Sequence, residues 1–526
     1  MRGADLLRRV APLLPALAGP LLVFRPWRWE PFAAEDFSEF LPLLSTSLGE
    51  SFRRLLAYYT SQGRWNPVSQ LYVAVNWALF GEHSVAWNLG RAILLLVELA
   101  LLFAVLRRLR ISPAPAVAAT MLFGLSSAAA GSWTRLTAEP LVVLALLVGA
   151  LLAIGYRSAE RWGTRAAGLG AAAAVAVLSK EVAVAAVPFL ALLAVARDDR
   201  RARGAETSVP PGRLDGPRFV WLVVVLAAVV AAAAVPVIHA VRGAPPDAYV
   251  TAYGPARPAF RVWLELLVSH AVPFHVIAGG PIGVLLLNEL FAVLVCAAWW
   301  RRCRRTGGDS RCRTLLPLFL FLPVGGALVY WPWPRFENFY ALPFFLGGTL
   351  LFAFAVEELR SAGGLARRLC WIGVTLLLLG GAAGGWNLSN RTNALRRTEW
   401  TAARLLPRLE LGGGIVMGVP GEPERAWQGP GATLRRFAES VAPGPVALPP
   451  AEDLPCAGVR SLAADPARRR SVLSYAHLCG PLHRPAARIV RHYRRLGWSW
   501  PLVAADSIVL EWKLPAGSES PDTGGS

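Results

Sequence analysis

A small set of acids and bases sits between long apolar runs of this chain: Glu35-Asp36, Arg64, Glu139, Lys180-Glu181, and Arg335 with Glu337. Ionisable groups at or near a membrane's apolar zone are costly, so their placement marks candidate chemistry. The mixture suits transfer of a group from a phosphate to a hydroxyl. A carboxylate takes the proton from the attacking hydroxyl, and cations stabilise the charge building on the departing phosphate. Lys180 stands out by composition alone. Of 54 basic residues only Lys180 and Lys513 are lysine, so a lysine beside an acid between two short apolar runs is an outlier.

The elements that must position these groups are membrane helices. The chain has 526 residues, 55% hydrophobic and 17% charged, with mean hydropathy +0.43, which excludes an ordinary soluble protein. Runs able to cross about 30 Å of hydrocarbon as helices lie near 6–24, 89–106, 114–130, 137–156, 166–179, 182–196, 219–241, 282–300, 315–330, 339–356 and 369–385. This predicts about eleven spans, of which the two flanking Ser179 also read as one broken helix. The formal charge of +20 is largely topology rather than a nucleic-acid surface. Arginine clusters at Arg2, Arg8 and Arg9, Arg107 to Arg110, Arg157 to Arg165, Arg197 to Arg218, Arg301 to Arg313 and Arg360 to Arg368 all fall on one side if the spans alternate from a cytoplasmic N-terminus. That orientation puts every candidate residue, the segment 242–281 and the whole C-terminal region outside the cytoplasm. The first run, with Arg8-Arg9 before it and Pro12, Pro15 and Pro20 within it, reads as an uncleaved helix rather than a signal peptide.

The loop from Arg25 to Arg91 is the longest polar or amphipathic interval before Arg197. It contains Arg64-Trp65-Asn66-Pro67, an amphipathic segment from Leu71 to Phe80, and Asn88 and Arg91 entering the next apolar run. Ordering such a loop costs backbone entropy that packing must offset, so it is expected to carry function. Hydropathy collapses after Trp386. Residues 414–420 and 507–513 read as strands and 432–441 as an amphipathic helix, predicting a small extracytoplasmic α/β domain over 386–514, followed by a disordered tail over 515–526. Cys456 and Cys479 either pair there or stay reduced. Cys303 and Cys312 lack a metal-ligand pattern, His270 and His275 do not share a helix face, and no phosphate-cradling glycine loop, nucleophile elbow or zinc signature occurs.

Each candidate also has a structural reading. Asp36 with Glu39 fits a helix-capping pair, and Glu139 before Pro140 fits the first turn of a helix. Lys180-Glu181 fits an interfacial ion pair. Arg335, within Trp331-Pro-Trp-Pro-Arg-Phe-Glu-Asn-Phe-Tyr340, fits an aromatic-belt turn, and Arg64 fits a surface arginine.

Glu35-Asp36-Phe37, Tyr58-Tyr59 with Gly63-Arg64-Trp65-Asn66-Pro67, Leu79-Phe80-Gly81, Trp87-Asn88, and Leu178-Ser179-Lys180-Glu181 followed by Pro188 resemble in order the polyprenyl-phosphate-dependent GT-C glycosyltransferases. The protein O-mannosyltransferase-like (glycosyltransferase family 39-like) and lipid-A-sugar-transferase-like branches are the most similar. The resemblance covers residues 1–200 well, the remaining membrane part in outline, and the C-terminal region not at all. It implies a GT-C-like transmembrane domain over 1–385 with a catalytic first loop over 25–88. It also implies inverting transfer of a sugar from a polyprenyl phosphate to an acceptor hydroxyl on a lipid, glycan or protein, at the outer face of the cytoplasmic membrane. By the same resemblance Asp36 matches the second acid of the paired-acid motif and Glu35 stands where many members have aspartate, leaving either as the base. Lys180, Arg335 and Arg64 would hold the lipid phosphate, with Glu139, Glu181, Asn88 and Arg91 as accessories. No cofactor is required by this reading, and a divalent cation is left open. Two other classes fit the composition: a lipid-linked sugar transporter or flippase, and a non-catalytic envelope protein.

Overall fold

The computed structural model describes residues 11–26, 43–81, 83–134, 137–154, 156, 162–195, 216–243, 281–306, 310–330, 338–405 and five strand segments between 415 and 509. The chain divides into two units, one of residues 1–28 with 44–388 and one of 29–43 with 389–526.

The first unit is helical. Its apolar runs become α1 (Leu13–Phe24), α4 (Ser84–Arg108), α5 (Pro113–Gly124), α6 (Ser127–Thr134), α7 (Glu139–Ala153), α8 (Trp162–Ser179), α9 (Val187–Val195), α10 (Gly216–Gly243), α11 (Pro281–Thr306), α12 (Ser310–Tyr330), α13 (Leu342–Arg360) and α14 (Gly364–Leu405). Two further helices, α2 (Leu48–Ser61) and α3 (Pro67–Phe80), fill the long first loop. Among the described residues four segments are long and apolar enough to cross a membrane by length and composition: Val85–Arg108, Pro217–Gly243, Leu342–Arg360 and Gly364–Trp386. Helix α13 is buried along nearly its whole length and is packed by α5, α7, α11 and α12. Phe345 stacks on Phe123 at 5.9 Å and Phe352 on Phe291 at 5.8 Å. In a bilayer such contacts act through close packing rather than through removal of water.

Helix breaks set the geometry of the outer end. The run expected as one span over 114–130 is two helices, because Ser126 caps a new one: its Oγ accepts from the Ala129 amide at 3.0 Å. The runs flanking Ser179 are also distinct. Ser179 closes α8, Lys180 is extended at φ −158°, and Glu181–Ala186 forms a 3₁₀ turn before α9. Pro188 has no amide hydrogen and its ring crowds the carbonyl four residues back, which disfavours a continuous α-helix through this point. A Cβ at Gly325 of α12 would lie 3.1 Å from the Ala185 carbonyl oxygen, so glycine is what lets α12 approach this 3₁₀ turn.

In the first loop, Ser47 caps α2 by accepting from the Glu50 amide at 3.4 Å. Glu50 pairs with Arg53 at 2.8 Å and with Arg54 at 2.6 Å. Gly63, at φ 74°, turns the chain toward α3. Pro67 opens α3, and its end is tied to α4 by the Trp87 indole, which donates to the Gly81 carbonyl at 2.8 Å. Where α1 ends, the Arg25 guanidinium lies 3.5 Å over the Trp386 ring.

The second unit contains β1 (Ile415–Val419), β2 (Glu452–Pro455), β3 (Ser471–Ser474), β4 (Arg491–Tyr493) and β5 (Ser507–Val509). They form one sheet of order β2-β1-β3-β5-β4. Strand β1 is parallel to β2 and β3, and β5 is antiparallel to β3 and β4. Strand β1 lies within the strand expected over 414–420, and β5 covers the first three residues of the one expected over 507–513; residues 510–513 lie outside the described residues. The expected helix over 432–441, Cys456 and Cys479, the tail over 515–526, His270 and His275 lie outside the described residues.

Candidate functional site

Side chains from two other places in the sequence, Glu139 and Tyr340, meet Lys180. Glu139 begins α7 with Pro140 behind it, yet it makes no side-chain cap to its own helix. Its Oε1 accepts from Lys180 Nζ, although 41 residues separate the two in sequence. Glu139 is 1% exposed and Lys180 13% exposed, so this ion pair is shielded from water. Nζ also lies 4.2 Å from the centre of the Tyr340 ring. Tyr340, in the 3₁₀ turn Asn338–Ala341 that leads into α13, stacks on Tyr330 at 5.0 Å. Tyr330, closing α12, meets Phe344 edge-on at 6.2 Å. Its hydroxyl lies within electrostatic range of Glu139, Glu181 and Tyr340.

The fold explains why these groups meet. The extended backbone at Lys180 projects its side chain from the break between α8 and α9, where α7 packs on both. The 3₁₀ turn Glu181–Ala186 lies against α12, and α6 packs on the turn that carries Tyr340. A buried charge needs a partner, since leaving one uncompensated costs several kcal/mol. Lys180 has a carboxylate, and an aromatic face adds about 1–2 kcal/mol of cation–π attraction.

Among the described residues Lys180 Nζ is thus paired with Glu139 and not with its neighbour Glu181, which starts the next turn and is half-buried. Oxygen atoms Glu139 Oε2 and Glu181 Oε2, with Ser132 Oγ and Thr137 Oγ1, are buried with no hydrogen-bond partner among the described residues. Lys180 and Glu139 together offer a cation and an acceptor at low exposure, the groups that bind an anion and a hydroxyl. Among the described residues no group of three or more His, Cys, Asp or Glu could hold a metal ion.

Of the other sequence candidates, Glu35, Asp36 and Arg335 lie outside the described residues. Arg64 sits half-buried in the turn between α2 and α3, its amide donating to Tyr59 at 2.9 Å. Asn88 and Arg91 are buried on one face of α4. That face continues, at helical spacing, to Glu98, a residue the sequence reading passed over. Glu98 is 0% exposed and neither of its oxygens has a hydrogen-bond partner among the described residues. The signal was there: a lone acid in the middle of an apolar run. On α3 the Tyr72 hydroxyl is pushed up from its ordinary range by burial, with the nearby Arg91 working against the shift.

No family model and no curated protein matches the sequence. The fold is similar to two solved proteins. One is the oligosaccharyltransferase of Archaeoglobus fulgidus in the apo form, with a TM-score of 0.47 and 11% identity over 82% of this chain and 63% of that one. The chain thus spans less than two thirds of that protein's length. The other is ArnT from Cupriavidus metallidurans in the apo state, with a TM-score of 0.42 and 13% identity over 83% of this chain and 85% of that one.

Proposed function

We propose that the chain is an integral-membrane glycosyltransferase of the GT-C type, which moves a sugar from a polyprenyl phosphate to an acceptor hydroxyl on the extracytoplasmic face with inversion. The observation that carries this reading is the Lys180 cluster, in which a lysine is held at low exposure between Glu139 and the Tyr340 ring. A buried ammonium in an otherwise arginine-based chain is a phosphate anchor of small size, able to follow charge as it builds on the departing oxygen. In this reading Lys180, with Arg335 and Arg64, holds the lipid phosphate. Asp36, or its neighbour Glu35, takes the proton of the acceptor hydroxyl as the sugar carbon is attacked from the face opposite the phosphate.

The exterior segment from about Val250 to Pro281 helps shape the acceptor site. The acceptor is a lipid, glycan or protein hydroxyl, no nucleic acid takes part, and a divalent cation beside the phosphate is compatible with the carboxylates present. A lipid-linked sugar carrier is the second reading, and Glu98 inside α4 is the observation that favours it. The two part in one assay. The purified full-length protein in nanodiscs is given a labelled polyprenyl-phosphate sugar and a membrane extract as acceptor. Formation of labelled product, lost in Lys180→Met, supports the transferase; movement of label across vesicles without product supports the carrier.

A further inference from the structure

We infer that Arg25 and Trp386 form a clasp that positions the acidic segment of the first loop for transfer, by holding together two places where the chain leaves the helical unit. This rests on the transferase reading and adds two positioning residues to it. The chain passes from the first unit to the second after Arg28 and again after Leu388. Arg25 and Trp386 stand just before those crossings, and the Arg25 guanidinium lies 3.5 Å over the indole ring. Glu35 and Asp36 follow the first crossing in sequence, within the stretch 29–43 that belongs to the second unit. The place where the end of α1 is pinned therefore sets where that stretch begins.

The backbone on both sides is shaped for this contact. Arg25 ends α1 in the left-handed region, at φ 49° and ψ 59°, with its amide donating to the Leu21 carbonyl at 2.8 Å. Among the described non-glycine residues only Arg25 and Arg110 have positive φ. Glycine or asparagine would make such a turn with less steric strain, so the turn by itself does not call for arginine. Phe24, 2% exposed, packs the neighbouring face. A Cβ at Gly385 would lie 2.9 Å from the Phe24 ring and 3.5 Å from the Leu125 carbonyl oxygen, so glycine is what lets α14 close on the end of α1. A Cβ at Gly124 would lie 2.7 Å from Pro20 Cγ, which seats α1 equally closely on α5. With both helices held this near, the half-buried guanidinium and indole meet where water is partly excluded, and there a cation over an aromatic face attracts more strongly than at an open surface. Reacting groups need such fixed roots, because a displacement of about 1 Å costs up to about a hundredfold in rate.

The test measures single-turnover transfer from a labelled polyprenyl-phosphate sugar to a membrane extract by full-length protein in nanodiscs, with donor affinity read separately by filter binding. Arg25→Met is expected to slow transfer about tenfold while donor affinity stays within about twofold. Arg25→Lys, which keeps a cation over the ring, should keep most of the rate. Trp386→Leu should slow transfer by the same factor and the double variant no further, because either substitution opens the same clasp. Full transfer by Arg25→Met overturns the inference, as do losses that multiply in the double variant or a donor affinity that falls in step with the rate. Donor binding reports that each variant is folded. If Arg25→Met is not, Trp386→Leu against Trp386→Phe makes the same comparison, and equal rates in those two overturn the inference. An unsubstituted protein that binds donor and transfers nothing defeats the transferase reading and the clasp's role with it, whereas full transfer by Arg25→Met defeats the clasp alone.

Discussion

Two buried acids in the helical unit have opposite surroundings. Glu139 meets a lysine from another helix, and that lysine lies over an aromatic ring. Glu98 sits inside an apolar helix with no hydrogen-bond donor among the described residues. The first acid is held by a lysine from the break between α8 and α9, which in turn lies against the turn before α13. The second has only its own helix and those packed on it, α1, α3, α5 and α7. Of these, α1 and α5 contribute no titratable side chain, α3 contributes Tyr72, and α7 contributes only Glu139 itself, at its start. Burial therefore does not separate the two acids; the chemistry of the neighbouring helix ends does.

Substitutions break or sharpen this contrast. Removing one member of the paired site, as in Glu139→Ala, takes from Lys180 the carboxylate it is bonded to and is expected to cost about 3–5 kcal/mol. The double variant Glu139→Leu with Lys180→Met should recover most of that loss, which a thermal-unfolding cycle measures. If the double variant is as unstable as the single one, the pair is not coupled as described. The isolated acid should respond in the other direction: Glu98→Met is expected to raise stability by about 1–3 kcal/mol, because it removes a buried polar group that lacks a partner. A fall in stability would show that Glu98 has a partner in the folded protein.

Smaller effects come from the framework. Gly325→Ala should push α12 off the 3₁₀ turn that follows Lys180 and cost about 1 kcal/mol, with weaker donor binding as the sharper readout. The smallest effect concerns Glu50, whose carboxyl is lowered to about 2 by hydrogen bonds from Arg53 and Arg54. A lowered folded value means that its contribution is complete above the ordinary glutamate range and fades as pH falls toward 2. Because these pairs lie at the surface, Glu50→Gln should flatten the acid limb of unfolding only slightly. A large change would mean that α2 depends on these pairs.

Much of the membrane architecture could be read from composition and periodicity, since each apolar run overlaps a described helix and the basic clusters Arg107-Arg108 and Arg360 close α4 and α13. What stayed hidden was set by contacts distant in sequence. The span expected over 114–130 divides because a serine caps a second helix, a local signal that hydropathy averages away. The bond between Glu139 and Lys180 joins residues 41 apart. Sequence proximity favoured Glu181, because adjacency says nothing about which way an extended residue projects at a helix break. The hydrophobic average likewise concealed Glu98. The proposal adds Glu35, Asp36 and Arg335 to the Lys180 cluster.

The most direct test of that proposal is single-turnover transfer from a labelled polyprenyl-phosphate sugar by Asp36→Asn protein, inserted in nanodiscs at the level of the unsubstituted chain. The account predicts loss of transfer by about a hundredfold or more with donor binding retained. Full transfer by that variant would remove Asp36 from the chemistry and contradict the account.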